Sequence, residues 1–487
     1  MAEPLEILTI AEIAAADRAA IAGGTPGREL MERAGRAVTE TITARWSPRP
    51  TVVLCGPGNN GGDGYVAARH LAEAGWPVRC AALGKAEALR GDAALAFADW
   101  RGETVPLEHA ALDGAALVVD ALFGAGLSKP LVPELQVLLR QAEAQTPIVA
   151  VDLPSGLPGD AAEPLEYAPR CTLTVTFHRK KPAHVLVPAR GYCGEVVVAD
   201  IGLAPPQGAA LFENRPELWL DHFPWPQVEA HKHSRGRLGV VAGKIFDTGA
   251  ARLAARAGLR LAGTVRLYAS AEAAPIIATH LEAVMLKTFD GSAEIERHAR
   301  EMDAMIIGPA AGLDEQTVEN VRALSRTDAA LLVDADAITM FKDQPEDLFA
   351  LLDDRDILTP HTGEFERLFP GLLKRSPTRI EAAREASRRS GAVVVLKGPD
   401  TVVAAPDGRA AVNTTTSPWL ATAGSGDVLA GLIGGLLATK MPPWEAACAG
   451  VWFHASAACK FGPGLTAEDI PVLIPAVLRD LEALAGR

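Results

Sequence analysis

Short runs of apolar and β-branched residues alternate with helical patterns along this chain, in two series separated by a break. Near-continuous apolar strands that alternate with helices are typical of a mostly parallel sheet covered on both faces. The pattern therefore predicts an α/β fold for each half. In the first half we expect strands at 51–56, 77–83, 116–122, 147–153, 171–177 and 194–203. In the second half we expect strands at 238–243, 264–269, 304–309, 330–336, 356–360, 392–398 and 401–406.

The break covers about residues 204–234, a segment rich in proline and without a sustained period, which indicates a linker or an arm. A chain of 487 residues is also too long for one ordinary hydrophobic core. We therefore expect two domains, at 1–212 and 213–487. The two halves share a fold class but not their motifs, so they are not interpreted as a repeat.

Charge and cysteine content argue against several classes of function. The net charge is −13 without a long basic run, whereas nucleic acid and anionic membranes both need positive surface. The six cysteines show no CxxC pair and no metal-ligand spacing, so we interpret them as reduced, mostly core residues. The N-terminus lacks the features of a signal peptide, and no apolar run is as long as a membrane span. We expect a cytoplasmic protein.

Three polar loops follow predicted strands in the first half: GPGNNGGDG (56–64), DALFGAGLSKP (120–130) and DLPSGLPG (152–159). Ligands of open α/β sheets bind beyond the carboxyl ends of the strands, so the three loops should meet at one edge. Taken singly, each loop is better explained as a tight turn with a capping side chain. Together they would gather six polar residues: Asn59, Asn60, Asp63, Asp120, Asp152 and Ser155.

The chemistry of these loops differs from that of an ordinary NAD site. GPGNNG satisfies the GxGxxG pattern, but the next strand ends in AALGKAEAL, without an acid at its tip for the ribose hydroxyls. Asn60, Asp120 and Ser155 instead offer oxygen ligands, which suit a hard cation. Asp152 follows an apolar strand and is a candidate general base.

Together with the preceding GRELMERAGRAV, these loops resemble the NAD(P)HX epimerase domain over roughly residues 5–212. The resemblance implies a Rossmann-like three-layer sandwich that interconverts the two epimers of hydrated NADH or NADPH at C6 of the nicotinamide ring. It implies potassium at Asn60, Asp120 and Ser155, and Asp152 as the catalytic acid/base. The implied substrate-binding residues are Asn59, Asn60, Gly61, Gly62, Asp63, Gly124, Ala125, Gly126, Leu127, Ser128, Lys129, Pro130 and Asp152.

Two further points concern this first half. The glycines of the first loop are interpreted as letting the backbone approach a phosphate-bearing ligand. Related domains also occur as non-catalytic binding modules, and the presence of Asp152 favours catalysis. FHRKKPAH (177–184) departs from the family and receives no role.

In the second half, GSGD (424–427) lies where an irregular loop becomes an apolar helix. Free N–H groups at a helix N-terminus stabilise phosphate charge, and an aspartate behind them is placed to deprotonate a hydroxyl. An aspartate that only stabilises the helix dipole is the common alternative. With TPHTGEFERL (359–368) and VLKGPDTVVAAPDG (395–408), the motif resembles the ribokinase-like superfamily, which implies phosphoryl chemistry on a small-molecule hydroxyl.

HKHSRGRLGVVAGKIFDTGAARLAARAGLRLAG and TPHTGE narrow this resemblance to the NAD(P)HX dehydratase family, over roughly residues 225–485. The resemblance implies contacts to the hydrate from Ala250, Gly312, His361 and Asp427, with Asp427 catalytic. It implies nucleotide binding, with Mg²⁺, by Lys397, Gly398, Pro399, Asp400, Thr401, Gly424, Ser425 and Gly426. Two loops depart from the family, GPAAGLD (308–314) and TTTSPWLATA (414–423).

The combined interpretation is a bifunctional repair enzyme for nicotinamide nucleotides. It would epimerise R- and S-NAD(P)HX and dehydrate the S form at the expense of ADP or ATP, through transient phosphorylation of the C6 hydroxyl. Small-molecule partners and a homo-oligomer are expected. Two alternatives stay open: a ribokinase-like kinase of a vitamin or sugar alcohol fused to a regulatory nucleotide binder, and a non-enzymatic scaffold.

Overall fold

The computed structural model describes residues 3–487, apart from the side chain of Ala110, and the chain divides into two compact units, 1–209 and 210–487. Most of the proline-rich break belongs to the second unit. Residues 211–213 form a strand of the second sheet, and two short 3₁₀ turns follow at 216–218 and 220–222. Trp219, between these turns, is fully buried in the core of the second unit. A three-residue strand and a single buried tryptophan do not produce a detectable hydrophobic period in the sequence. For this reason the sequence pattern indicates a linker here.

The first unit is built on one parallel sheet, with strand order β3-β2-β1-β4-β5-β6-β7. This order extends the doubly wound arrangement of Rossmann folds and confirms the predicted fold class. The strands are β1 (Thr51–Cys55), β2 (Val78–Ala82), β3 (Glu103–Pro106), β4 (Leu117–Ala121), β5 (Ile148–Val151), β6 (Leu173–Phe177) and β7 (Glu195–Ala199). The helices are α1 (Ile10–Ala22), α2 (Gly27–Thr43), α3 (Asn59–Glu73), α4 (Gly91–Asp99), α5 (Pro133–Gln145) and α6 (Arg190–Cys193).

Alternation along the buried strands builds two cores, one on each face of this sheet. Val53 and Cys55 of β1 pack with α2 and α3, whereas Val52 and Leu54 pack with α5. Successive side chains of a strand point to opposite faces, so a continuous apolar run is what a sheet between two helix layers requires. The sequence pattern does not predict β3, because ETVP is polar and mostly exposed at the sheet edge.

The second unit has a ten-stranded sheet in the order β11-β10-β9-β12-β13-β14-β15-β16-β17-β8. Its strands are β8 (Leu211–Glu213), β9 (Arg237–Val241), β10 (Thr264–Ala269), β11 (Met285–Thr288), β12 (Ala304–Ile307), β13 (Ala330–Val333), β14 (Ile357–Leu358), β15 (Val393–Leu396), β16 (Val402–Ala404) and β17 (Ala410–Val412). Only the β15–β16 and β16–β17 pairs are antiparallel.

The helices of this unit are α7 (Gly249–Gly258), α8 (Ala274–Ala278), α9 (Ser292–Ala299), α10 (Glu315–Leu324), α11 (Ala335–Met340), α12 (Pro345–Phe349), α13 (Thr362–Leu368), α14 (Leu372–Arg375), α15 (Arg379–Ser390), α16 (Ser425–Ala438), α17 (Pro443–Phe461) and α18 (Ile470–Leu484). Glycines let α16 pack closely on α7: a Cβ at Gly431 would lie 2.2 Å from the carbonyl oxygen of Ala254. This contact fixes where α16 begins, and hence where GSGD lies. In residues 3–487, the helices are too short or too polar to cross a membrane.

Candidate active sites

A cavity of about 760 Å³ lies in the first unit, where the chain leaves β1, β4 and β5. Its size suits a small-molecule ligand. Its wall contains predicted site residues from three loops: Asn59, Asn60, Asp63, Gly124, Ala125, Gly126, Leu127, Ser128, Lys129 and Asp152. Side chains that the sequence analysis did not select complete it, among them Asp17 of α1, Met31 of α2, His178 and Lys181.

The remaining predicted residues of this unit lie outside the cavity lining. Asp120 and Ser155 are fully buried and bonded to each other: the Ser155 hydroxyl donates to Asp120 Oδ1 at 2.6 Å, and its N–H donates to Oδ2 at 2.8 Å. Pro130 is not among the lining residues of the described chain. Gly61 and Gly62 face protein: a Cβ on Gly61 would lie 1.9 Å from the Gly56 carbonyl oxygen, and one on Gly62 would lie 2.6 Å from the Met31 methyl carbon.

The glycines of the first loop differ in whether they are needed for packing or leave space for a ligand. Gly58 is the glycine of this loop with open space beside it, and its φ of −103° suits any residue. Gly61 is required instead for the close approach of α3 to the turn after β1. The interpretation that the loop glycines admit a ligand therefore fits Gly58, whereas Gly61 and Gly62 serve helix packing.

Gly61→Ala is expected to lower the free energy of unfolding by about 1–3 kcal/mol, because its methyl group would overlap a backbone oxygen. Gly58→Ala is the matched control and should change that free energy by less than about 1 kcal/mol. Urea denaturation of both variants measures the difference. Equal stabilities would show that the loop adjusts at no cost and would contradict the packing role.

Asp152 lies directly after β5 with a positive φ of 67°, a conformation that is rare for a residue other than glycine. Its Oδ1 accepts hydrogen bonds from Lys181 Nζ at 2.6 Å and from the Thr176 hydroxyl at 2.9 Å. Its Oδ2 accepts one bond from the Ala125 N–H at 3.2 Å. Burial favours the neutral acid, but the Lys181 ammonium prevails and lowers the pKa of Asp152 below its usual value. Asp152 is thus an ionised carboxylate whose Oδ2 is the less occupied oxygen.

Lys181 is the important residue that the sequence analysis did not select. Its side chain is only 2% exposed, and it lies in FHRKKPAH, where three consecutive basic residues suggest a solvated face. The Lys181 N–H donates to His184 Nδ1 at 2.9 Å, so His184 carries its hydrogen on Nε2 and donates it to the Asp152 carbonyl at 3.0 Å. Burial and the Lys181 charge lower the pKa of His184 to about 3, so the ring is neutral. His184 therefore ties the lysine segment to the Asp152 loop.

Two further acids of the cavity resist ionisation. Burial, followed by the charges of Asp152 and Asp17, raises the pKa of Asp63 well above its usual value. Burial also raises the pKa of Asp17 on α1. Carboxyl groups whose pKa values are pushed in opposite directions at one site are typical of acid/base chemistry.

The potassium ligands implied by the resemblance have the chemistry that suits a hard cation. Within the part of the chain that the structure describes, Asn60 Nδ2 is buried without a hydrogen-bond partner, and a Cβ at Gly124 would lie 3.0 Å from Asn60 Oδ1. Burial raises the pKa of Asp120, and an adjacent cation would reverse this cost. Amide, carboxylate and hydroxyl oxygens are the ligands that such ions prefer.

In the second unit, the N-terminus of α16 carries the predicted anion site. Gly424 has the left-handed φ of 83°, and a Cβ there would lie 2.6 Å from Leu253 Cδ1. Lys397 Nζ lies 2.8 Å from Asp334 Oδ1 and 3.8 Å from Glu364 Oε2. A Cβ on Gly426 would lie 3.5 Å from the same Nζ, so this ammonium is beside the first turn of α16. Positive charge from the lysine and from the helix N-terminus meets there.

Asp427 lies in this first turn, and its surroundings raise its pKa towards neutrality. Burial, then the charge of Asp334, raises the pKa of Asp427 to about 6, and Lys397 opposes the rise. A carboxyl group with a pKa close to neutrality is suited to accept a hydroxyl proton. Asp334 and Glu364, which hold Lys397, were not selected from the sequence, although Asp334 lies near the end of a predicted strand and Glu364 lies in the TPHTGE motif.

The other predicted residues of this unit lie on neighbouring loops. His361 caps α13: its Nδ1 accepts from the N–H groups of Gly363 and Glu364, and its side chain is 55% exposed. The Gly312 N–H donates to Asp336 Oδ2 at 3.0 Å, and the Asp336 charge also raises the pKa of Asp427. Ala250 lies in the first turn of α7.

The implied nucleotide segment, Lys397 to Thr401, is a tight turn after β15. The Gly398 N–H donates to the Thr401 hydroxyl oxygen at 3.2 Å. Arg379 lies against Gly398 and is 3.3 Å from Asp400 Oδ1. Ser425 is held from the core by His454, whose Nε2 is 3.0 Å from the Ser425 carbonyl oxygen.

Comparisons with known proteins agree with both halves of this description. Residues 27–183 match the family described as YjeF-related protein N-terminus, and residues 238–470 match the family described as NAD(P)H-hydrate dehydratase. The chain is 33% identical to a bifunctional NAD(P)H-hydrate repair enzyme of Methanopyrus kandleri, over 93% of this chain and 92% of the relative. It is 35% identical to the enzyme of that name from Moorella thermoacetica, over 98% and 97% of the two chains.

A ribokinase-like superfamily protein of Enterococcus faecalis superposes with a TM-score of 0.50 at 20% identity, covering 57% of this chain and 99% of that one. This similarity supports the fold of the second unit. The two family matches and the full-length relatives carry the classification. The chain belongs to the family of bifunctional NAD(P)H-hydrate repair enzymes.

Proposed function

We propose that the chain repairs hydrated NADH and NADPH in two steps. The first unit interconverts the R and S epimers at C6, and the second unit dehydrates the S epimer at the expense of ADP or ATP. Both units share the observation that supports the proposal most strongly, an aspartate under the influence of a nearby lysine. Asp152 is paired with the buried Lys181, and the charge of Lys397 acts on Asp427 in the first turn of α16.

Epimerisation requires a bond at C6 to break and to form again on the opposite face. Asp152 Oδ2 takes the proton of the C6 hydroxyl while the oxygen forms a carbonyl and the C6–N1 bond opens. The electron pair of that bond moves to N1 and into the conjugated carboxamide. Rotation and the reverse steps close the ring as the other epimer, and Asp152 returns the proton. Lys181 keeps Asp152 ionised for this role.

Dehydration needs a better leaving group than hydroxide. Asp427 takes the C6 hydroxyl proton while the oxygen attacks the terminal phosphoryl group of the nucleotide; the phosphoanhydride bond breaks, and AMP leaves from ADP or ADP leaves from ATP. Loss of phosphate with its C–O electron pair, and of a proton from C5, then restores the double bond of the reduced ring. Lys397 and the N–H groups at the start of α16 stabilise the charge on the transferring group. Mg²⁺ would accompany the nucleotide, mainly through phosphate oxygens.

The test of the proposal supplies mixed R- and S-hydrated NADH with Mg²⁺ and K⁺, and adds ADP or ATP in separate reactions. Complete recovery of reduced-nicotinamide absorbance, faster than spontaneous epimerisation, is expected with one or both nucleotides. The active nucleotide identifies the cosubstrate. No recovery, together with a stable phosphorylated product from a vitamin or sugar alcohol, would support the kinase alternative instead. No turnover of any of these substrates would point to a scaffold.

Potassium is proposed at Asn60, Asp120 and Ser155, where it would supply fixed positive charge beside the substrate. Replacing K⁺ by tetramethylammonium is expected to slow epimer interconversion several-fold and to lower the melting temperature of the first unit. Asp120→Asn should remove both responses to K⁺. Dehydration of pure S-NADHX is the control. A K⁺ response that persists in Asp120→Asn would place the cation elsewhere.

Two broader proposals accompany this function. A cytoplasmic location agrees with six free thiols, one of them exposed at Cys459.

A homo-oligomer is proposed because Val472 and Leu484 of α18 are more than half exposed. Light scattering of the full chain tests the second proposal, and a monomeric mass would contradict it.

A further inference from the structure

His178 occupies an unusual place at the end of β6. It is in the cavity wall of the first unit, is 3% exposed, and has a positive φ of 64°. This left-handed conformation favours glycine, so a bulky side chain there carries backbone strain. Strained backbone of this kind concentrates at functional sites.

The hydrogen bonds of His178 determine its tautomer. Its Nδ1 lies 3.3 Å from the Arg179 guanidinium, which is held in turn by Glu6 at 3.0 Å. A guanidinium has only donors, so Nδ1 accepts and the ring hydrogen is on Nε2. This Nε2 is buried and has no hydrogen-bond partner in the described chain. A buried donor without an acceptor is costly, and it requires an explanation.

We propose that His178 Nε2–H donates a hydrogen bond to the carboxamide oxygen of the hydrated nicotinamide ring in the first unit. This inference rests on the proposed epimerase function. His178 is three residues before Lys181, whose ammonium holds Asp152, so the donor belongs to the segment that holds the acid/base group in place. The C6 hydroxyl is used by Asp152, and the carboxamide oxygen is the other acceptor on the ring.

The hydrogen bond has a chemical consequence. Opening of the C6–N1 bond sends negative charge through the conjugated ring to the carboxamide oxygen. A donor already placed there stabilises the charge as it develops, without reorganisation at the moment of reaction. His178 is thus a substrate-contacting residue whose effect should be larger in kcat than in KM.

The experiment compares His178→Gly with His178→Asn. Both residues accept the left-handed backbone, but glycine removes the donor and asparagine keeps an amide N–H. Epimer interconversion is measured without nucleotide, so that the dehydratase is idle. His178→Gly is expected to lower kcat about 10- to 100-fold with little change in KM, and His178→Asn to recover part of the loss. Glu166→Gly is the matched control: Glu166 is exposed with a φ of 69°, and it should gain stability without loss of rate.

A second arm is independent of how well the variants fold. The substrate in this arm is the hydrate of the thionicotinamide dinucleotide, in which sulfur, a poorer hydrogen-bond acceptor, replaces the carboxamide oxygen. Relative to hydrated NADH, this substrate should lower the rate of epimer interconversion more in the wild type than in His178→Gly. Equal slowing of both, or an unchanged kcat in His178→Gly, would overturn the hydrogen bond while the wild-type activity upholds the epimerase function. An inactive wild type would overturn the proposed function itself.

Discussion

Asp427→Asn is expected to slow dehydration of S-NADHX by about 10²- to 10⁴-fold, because it removes the group that accepts the C6 hydroxyl proton. The amide keeps the shape of the side chain at the start of α16. Binding of the nucleotide should therefore change little, since Lys397 and the helix N–H groups remain. Absorbance recovery from pure S-NADHX with saturating nucleotide measures the effect. Epimer interconversion in the first unit of the same molecule is the internal control.

The pH dependence of this step follows from burial. Because burial and Asp334 raise the pKa of Asp427 to about 6, the wild-type rate of dehydration should rise with pH through about 6. The folded chain holds this proton more tightly than the unfolded chain, so the contribution of Asp427 to stability is present at low pH. That contribution is lost as the pH rises through about 6. Asp427→Asn cannot ionise and should therefore raise the melting temperature above that pH.

Two results would contradict this role for Asp427. One is a rate that stays within a factor of about three of the wild type in Asp427→Asn, far below the contribution of a general base. The other is an equal loss of rate in both units, which would indicate a general defect of folding.

In the first unit, Asp152→Asn is expected to slow epimer interconversion by about 10²- to 10⁴-fold, since Asp152 handles the proton. Lys181→Met should cause a loss of a different kind. Without the ammonium, the largest influence that lowers the pKa of Asp152 is lost, so burial should raise this pKa against the weaker effect of the Thr176 hydrogen bond. The fall in rate on the acid side should therefore move to higher pH, and part of the activity should return in alkaline buffer.

The matched control is Lys180→Met, because the neighbouring Lys180 pairs with Glu3 at 3.0 Å rather than with Asp152. Epimer ratios followed over a range of pH, with spontaneous epimerisation subtracted, measure both variants. A loss in Lys181→Met that is equal at every pH would mean that Lys181 supports the site only by packing. Dehydration of S-NADHX in the same samples should be unchanged.

Much of the architecture can be predicted from local patterns in the sequence. The apolar strands that alternate with helices require parallel sheets covered on both faces, and the structure contains them. The loops that follow β1, β4 and β5 meet at one cavity because parallel strands bring their carboxyl ends to one edge. Asp152 and Asp427 could be selected because turn and helix-start motifs depend on neighbouring residues. Their catalytic roles, like those of the other selected residues, stay predictions.

Other parts of the site depend on contacts between distant residues. Lys181 meets Asp152 only because β5 and β6 pair side by side and His184 fixes the following turn. Its sequence neighbours, Arg179 and Lys180, suggest an exposed basic segment instead. The sequence motif suggests that Gly61 binds a ligand. In the structure, however, a Cβ on Gly61 would lie 1.9 Å from the Gly56 carbonyl oxygen, so this glycine is required for packing.

The sequence by itself therefore determined the fold class, the family and the loops that carry the chemistry, because each follows from local periodicity or a short motif. Only the tertiary structure decided which groups are charged and which face the cavity. Asp152 is ionised beside a buried lysine, whereas burial raises the pKa of Asp63 and of Asp427. Carboxyl groups of the same kind show pKa shifts in opposite directions because burial and neighbouring charges, which arise from packing between distant segments, determine the pKa of each group.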